Sequence, residues 1–149
     1  LSPGFRWGTT ILPGQKITVD DIYSQTAINY PEVYRVEMSG KMIKEILEDV
    51  CDNIFNPDPF FQQGGDMVRV GGIKYTCSPK NEMGKRISNL RIASTDQPLE
   101  ASKKYIVGGW GSVNPDVIGP PIYSILEKYI SEKKVIISKK SEIVKVLGM

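Results

Sequence analysis

Histidine is absent from the 149 residues of this chain. That absence excludes complete Ser/His/Asp triads, Cys/His dyads and His-based zinc sites within it, because imidazole alone has an unperturbed pKa near neutrality and is the commonest nitrogen ligand to metals. Cysteine is nearly absent too. Cys51 and Cys77 are the only two, which allows one bridge at most and is too few for a disulfide scaffold or a four-sulfur metal site. No run approaches the roughly 20 apolar residues that span a bilayer, and no charged-then-apolar signal segment opens the chain. Excess charge is missing as well: 19 Lys and Arg against 17 Asp and Glu leave a net charge of +2, so bulk electrostatics call for neither nucleic acid nor an anionic membrane. Opening on Leu1 rather than Met, the sequence reads as a fragment cut from a longer protein, with any targeting signal upstream. Its length is that expected of one domain, 1–149, with a single core.

What is present points to an α+β fold with a mixed, mainly antiparallel sheet and packed helices. Leu1 to Gly14 is rich in Gly and Pro around Phe5-Arg6-Trp7 and reads as a loop. Thr18 is placed to cap a short helix ending near Gln25, with Asp20 and Asp21 in its first turn. Glu32 to Met38 alternates in the period of a half-buried strand. Ser39 then caps a helix from Gly40 to about Phe55, where Met42, Ile43, Ile46, Leu47, Val50, Cys51, Ile54 and Phe55 recur at steps of three and four. Lys41, Lys44, Glu45, Glu48 and Asp49 are assigned to its solvent face. Pro57 and Pro59 make Asn56 to Gly65 a long exposed loop. Gly72 to Cys77, Arg86 to Ala93 and Lys104 to Gly108 read as strands of one antiparallel sheet. A helix from about Pro120 to Lys133, a short strand at Val135-Ile-Ile and a last helix holding Ile143, Val144 and Leu147 complete the reading.

The residues that could carry chemistry each admit two readings. Arg6, between two aromatics in a Gly/Pro-rich loop, suits a guanidinium presented to phosphate, sulfate or sulfonate, or else a surface ion pair. Phe60 and Phe61, beside Gln62-Gln63-Gly64-Gly65-Asp66, form either an aromatic recognition platform or an anchor of the loop on the core. Trp110, among glycines, covers a ligand or fills the core. The spacing of Asp20, Asp21 and Asp66 fits no calcium loop, which leaves them capping and turn roles. Cys51 falls on the apolar stripe of the long helix and Cys77 ends a strand, so two buried thiols and one bridge stand as alternatives.

Ser2-Pro-Gly-Phe-Arg-Trp-Gly, then Leu12-Pro-Gly and Ile17-Thr-Val-Asp-Asp-Ile-Tyr, resembles the start of the C-terminal domain of the 5′-nucleotidase family, where an Asn-x-Gly-Gly-x-Arg motif precedes a Pro-Gly turn and a short helix. Val36-Glu-Met-Ser-Gly-Lys-Met-Ile-Lys-Glu-Ile-Leu-Glu resembles that family's strand, turn and long helix, and Phe60 onward its Phe-x-Gln-x-x-Gly segment. A narrower resemblance, carried by the run from Glu48 to Gly72 and by Gly109-Trp-Gly-Ser-Val, is to the thiosulfohydrolases of bacterial thiosulfate oxidation. It implies a C-terminal substrate-binding domain of a two-domain periplasmic metallohydrolase. The N-terminal metallophosphoesterase domain would hold two manganese ions, this part would hold none and be inactive alone, and the partner would be the SoxYZ carrier, whose cysteine S-sulfonate is hydrolysed to release sulfate. Arg6 matches the family's substrate-binding Arg. The candidate substrate contacts are Arg6, Trp7, Asn29, Phe60, Phe61, Asp66 and Trp110. Nucleotidases stack a base between two aromatics, the second from a Gly-Gly-Asp-x-Phe motif, whereas Tyr105-Ile-Val-Gly-Gly-Trp-Gly-Ser-Val-Asn lacks it. The alternatives are a nucleotidase or cyclic nucleotide phosphodiesterase domain, and a non-catalytic module that docks a protein through the Pro57–Gly65 and Trp110 loops.

Overall fold

The computed structural model describes residues 1–4, 10–63, 65–112, 116–137 and 143–148. The element order is α1 (Val19–Gln25), β1 (Val33–Ser39), α2 (Gly40–Phe55), a single 3-10 turn (Pro59–Phe61), β2 (Ile73–Cys77), β3 (Ile87–Ile92), β4 (Lys104–Trp110), α3 (Ile122–Lys133) and β5 (Val144–Val146). Packing divides the chain into two compact units, the first made of Leu1, Val36–Val107 and Lys140–Met149, the second of Ser2–Arg35 and Gly108–Lys139.

In the first unit α2 and a three-stranded sheet of order β3-β2-β5 enclose the core. Ser39 caps α2 as its spacing demands, its hydroxyl accepting from the backbone N–H of Met42 at 3.1 Å. Steps of four along the helix bring Ile43, Leu47 and Cys51 onto one buried face, against Tyr75 and Cys77 of β2 and Ile87 of β3. β2 and β3 are antiparallel, with Cys77 opposite Ile87, whereas β5 runs parallel to β2, with Val146 beside Cys77.

Three sequence expectations change here. The strand from Lys104 pairs with β1 in a separate two-stranded sheet instead of joining β2 and β3. The tail at Val144–Val146 is a strand, not a helix: its two β-branched valines lower helix propensity, and the edge of β2 supplies hydrogen bonds, with the Leu147 N–H donating to the Cys77 carbonyl at 2.9 Å. Val135-Ile-Ile lies outside any strand.

Glu48 departs from expectation as well. Assigned to the solvent face, it is 3% exposed, and its carboxylate accepts from the backbone N–H groups of Gly84, Arg86 and Ile87 at 2.9, 3.2 and 2.8 Å. A buried acceptor with no partner costs more than a hydrogen bond returns, so this carboxylate is bound to the turn entering β3. On the true solvent face Lys41 and Glu45 form the expected i,i+4 pair at 3.6 Å.

The second unit is built on α1 and α3. Thr18 and Asp21 form a reciprocal capping box at the start of α1, with the Thr18 N–H donating to Asp21 Oδ2 at 2.8 Å and the Asp21 N–H to Thr18 Oγ1 at 3.2 Å. The rings of Tyr23 and Tyr123 meet with centroids 4.8 Å apart. The start of α3 is held by the Ile122 N–H donating to the Pro31 carbonyl at 2.7 Å.

Candidate functional site

The loop that leaves α2 is organised by its own side chains. Asn56 closes the helix, its backbone N–H donating to the Asp52 carbonyl and its Nδ2 to Asp52 Oδ2 at 2.8 Å. The Asp58 N–H donates to Asn56 Oδ1 at 2.9 Å, and the Phe60 N–H to Asp58 Oδ1 at 3.0 Å, so that Asp58 caps the 3-10 turn with Pro59 in its first position. Gln62 returns its Nε2 to the Asn56 carbonyl at 2.7 Å. Backbone and polar side chains thus find partners inside the loop, while Phe60 stands 94% and Phe61 62% exposed. Neither ring anchors the loop on the core. A braced loop that presents two adjacent aromatic rings to solvent is suited to covering an apolar or flat surface of another molecule.

Beside this loop lies an open cavity of about 860 Å³, lined by Asp52, Asn56, Pro57 and Gln62 on one side and Lys80, Asn81, Met83 and Arg86 on the other. None of the candidate substrate contacts among the described residues lines it. Its floor is charged and structured: Arg86 is 3% exposed, its Nη1 donates to Asp52 Oδ1 and its Nε to the Asn81 carbonyl at 2.7 Å. The hydrogen bonds from Arg86 and then from Asn56 hold the Asp52 carboxyl below its ordinary pKa of 3.8. Sequence reading missed this arrangement, although Asn-Pro-Asp-Pro after a helix is a recognisable signal for side-chain-closed turns.

The remaining candidates are distributed as follows. Asp66, in the first unit, is exposed and pairs with Arg69 at 3.5 Å. Asn29, in the second, sits exposed at a bend, and Trp110, at the end of β4, is 7% exposed. Gly111 follows it at φ 74°, and a Cβ there would lie 2.9 Å from Pro3 Cγ, so the tight approach of those segments requires glycine. Arg6 and Trp7 lie outside the described residues. Among the described residues no three His, Cys, Asp or Glu side chains stand together as metal ligands. No helix among the described residues is long and apolar enough to cross a membrane.

The chain belongs to the 5′-nucleotidase C-terminal domain family, whose model matches residues 2–110. Within that class it is similar to the sulfate thiohydrolase SoxB of Thermus thermophilus, at 37% identity and a TM-score of 0.87 over 99% of this chain and 28% of that one. A 5′-nucleotidase precursor, also from Thermus thermophilus, shares the fold at a TM-score of 0.67 and 18% identity, over 89% of this chain and 28% of that one. The trifunctional nucleotide phosphoesterase protein YfkN of Bacillus subtilis is 31% identical over 88 residues, 53% of this chain and 6% of its own length. The chain thus spans less than a third of each of these proteins.

Proposed function

We propose that this chain is the substrate-binding domain of a periplasmic thiosulfohydrolase that removes the sulfonate from a cysteine S-sulfonate on the SoxYZ carrier protein and releases sulfate. What carries the reading is the likeness to SoxB, at 37% identity along 99% of the chain, together with a braced loop that exposes two phenylalanines. The missing Gly-Gly-Asp-x-Phe motif in Tyr105–Asn114 supports it by removing the second face of a base sandwich.

In the reaction the S–S bond of the S-sulfonate breaks, the oxygen of water becomes the fourth oxygen of sulfate, one of its protons goes to the departing carrier thiolate and the other to solvent. A pair of metal ions on a preceding domain would supply the activated water. This chain binds and orients. Arg6 pairs with the sulfonate oxygens and offsets the charge that gathers on them. Phe60 and Phe61 flank the extended arm that carries the cysteine and keep water from its apolar stem. Asn29, Asp66 and Trp7 are further candidate contacts, each taken by itself, whereas Trp110, 7% exposed, fills the core.

The test is made on the full-length protein, with and without Arg6→Ala, by following sulfate release from carrier-bound S-sulfonate beside phosphate release from a nucleotide. Sulfate release that collapses in the variant, with negligible nucleotide turnover, is the expected result. A second reading, a nucleotide phosphoesterase domain, is favoured by the 31% identity with YfkN over 88 residues. Nucleotide turnover without sulfate release would establish it.

A further inference from the structure

Helix α2 and strand β2 each send one cysteine into the core of the first unit. Cys51 is 0% and Cys77 3% exposed, both are free thiols, and their sulfurs stand 3.6 Å apart, close enough for one S–H to donate to the other. They are the only cysteines of the chain. Enclosed by Leu47, Tyr75 and Ile87, neither can meet a thiol on another molecule unless the core opens. A disulfide has an S–S length of about 2.05 Å, and the remaining gap of roughly 1.5 Å is within reach of a modest turn of the two side chains.

We propose that Cys51 and Cys77 are a disulfide-forming pair, joined in oxidising surroundings into a bridge between α2 and β2. The bridge closes a segment whose ends lie 26 positions apart and which contains the whole Phe60–Phe61 loop. It would therefore staple the base of the loop that presents the two aromatic rings. The inference rests on the cysteine geometry and holds whichever substrate the protein takes.

The oxidant required is a second disulfide, on an oxidoreductase or a small thiol such as glutathione. One cysteine attacks it as thiolate and releases the first oxidant thiol; the other cysteine then displaces the second. The two cysteines lose two protons and two electrons, and the oxidant disulfide is reduced to two thiols. Burial, and after it the hydrogen bond with Cys77, pushes the Cys51 thiol up to about 12, so the folded core holds almost no thiolate. Bridge formation therefore belongs to folding, before α2 closes over β2.

The intact protein is unfolded, refolded in a buffer of reduced and oxidised glutathione, blocked with an alkylating agent under denaturing conditions and digested without reduction. The expected product is the peptide containing Cys51 linked to that containing Cys77, lighter by two hydrogens than the free pair. Alkylation of both residues, or glutathione on each, overturns the proposal. As a second measurement, reductant is expected to lower the melting temperature of the refolded protein by roughly 5–10 °C, from loop-closure entropy. No shift, where the Cys51→Ala/Cys77→Ala variant melts with the untreated protein, would count against a stabilising bridge.

Discussion

Arg86 Nη1 lies 2.5 Å from Asp52 Oδ1, an ion pair joining the last turns of α2 to the residue that leads into β3. The guanidinium is buried, so the carboxylate is its compensation, and the pair has a pH signature. The hydrogen bond from Arg86, and next that from Asn56, depress the Asp52 pKa below 3.8. A depressed folded-state value contributes stability that is present above the unfolded value and lost as pH falls through the folded one. Denaturant midpoints measured downward from pH 6 are therefore expected to hold until about pH 4 and then fall. In Asp52→Asn the midpoint is lower at pH 6 and the acid fall shallower. Asp96, depressed by its hydrogen bond to Lys74, adds to the same fall in both proteins.

Glu48→Ala is expected to destabilise the first unit by about 3 kcal/mol, since it strips the acceptor from three backbone N–H groups at the start of β3. Urea unfolding checks the magnitude. Hydrogen exchange gives the place: amides at 84, 86 and 87 should lose protection ahead of those in the middle of α2. A surface glutamate would show neither effect.

That contrast marks where the sequence was legible. The span of α2, from Gly40 to about Phe55, was readable because Ser39 is a strong cap and the apolar steps of three and four admit only a helix. The capping of α1 by Thr18 was equally local, though its reciprocal bond with Asp21 was not read. Glu48 was misplaced for the opposite reason: its burial depends on a turn 36 residues away that needs an acceptor, and a charged residue beside Leu47 carries no local mark of that need. The β4 pairing with β1 and the β5 strand failed likewise, since strand partners are long-range choices and short β-branched runs fit more than one of them. At the candidate site, Phe60 and Phe61, following Pro57 and Pro59, were legible as either a platform or a core anchor, and only their exposure separates the two. The cavity between Asn56 and Lys80 was not, because it is assembled from two loops that only the sheet brings together.

At alkaline pH the core itself titrates. Burial, the leading cause for both, pushes Cys51 from 9.0 and Tyr75 from 10.0 up to about 12. A folded pKa raised above its unfolded value contributes stability that is complete below the unfolded pKa and is lost as pH rises through the folded one. The reduced protein should thus lose stability progressively between about pH 9 and pH 12. Thiol absorbance against a pH-resolved unfolding series will check this, and Tyr75→Phe should flatten the upper part of the fall.

Gly40 opens α2 against the turn at Glu100, with its N–H donating to the Lys103 carbonyl at 3.0 Å. A Cβ at this position would overlap the Glu100 carbonyl oxygen and stand 2.9 Å from its carbon. Backbone cannot swing aside as a side chain can. Gly40→Ala is expected to cost about 2 kcal/mol despite the better helix propensity of alanine. Chemical denaturation of the two proteins decides it, and a stabilised variant would show that the 100–103 turn yields freely.

Phe60 and Phe61 separate fold from function most cleanly. Being 94% and 62% exposed, they contribute little to the core, so Phe60→Ala and Phe61→Ala should leave unfolding free energies within about 0.5 kcal/mol of the parent. If the rings flank the carrier arm, each truncation removes an apolar contact formed only with substrate. Covering one such ring is worth about 1.5–3 kcal/mol, which corresponds to at least a tenfold rise in KM. Steady-state turnover of carrier-bound S-sulfonate by the intact enzyme should show that rise with kcat little changed. An unchanged KM in both variants would remove the rings from substrate binding and leave the loop without a part in the proposed reaction.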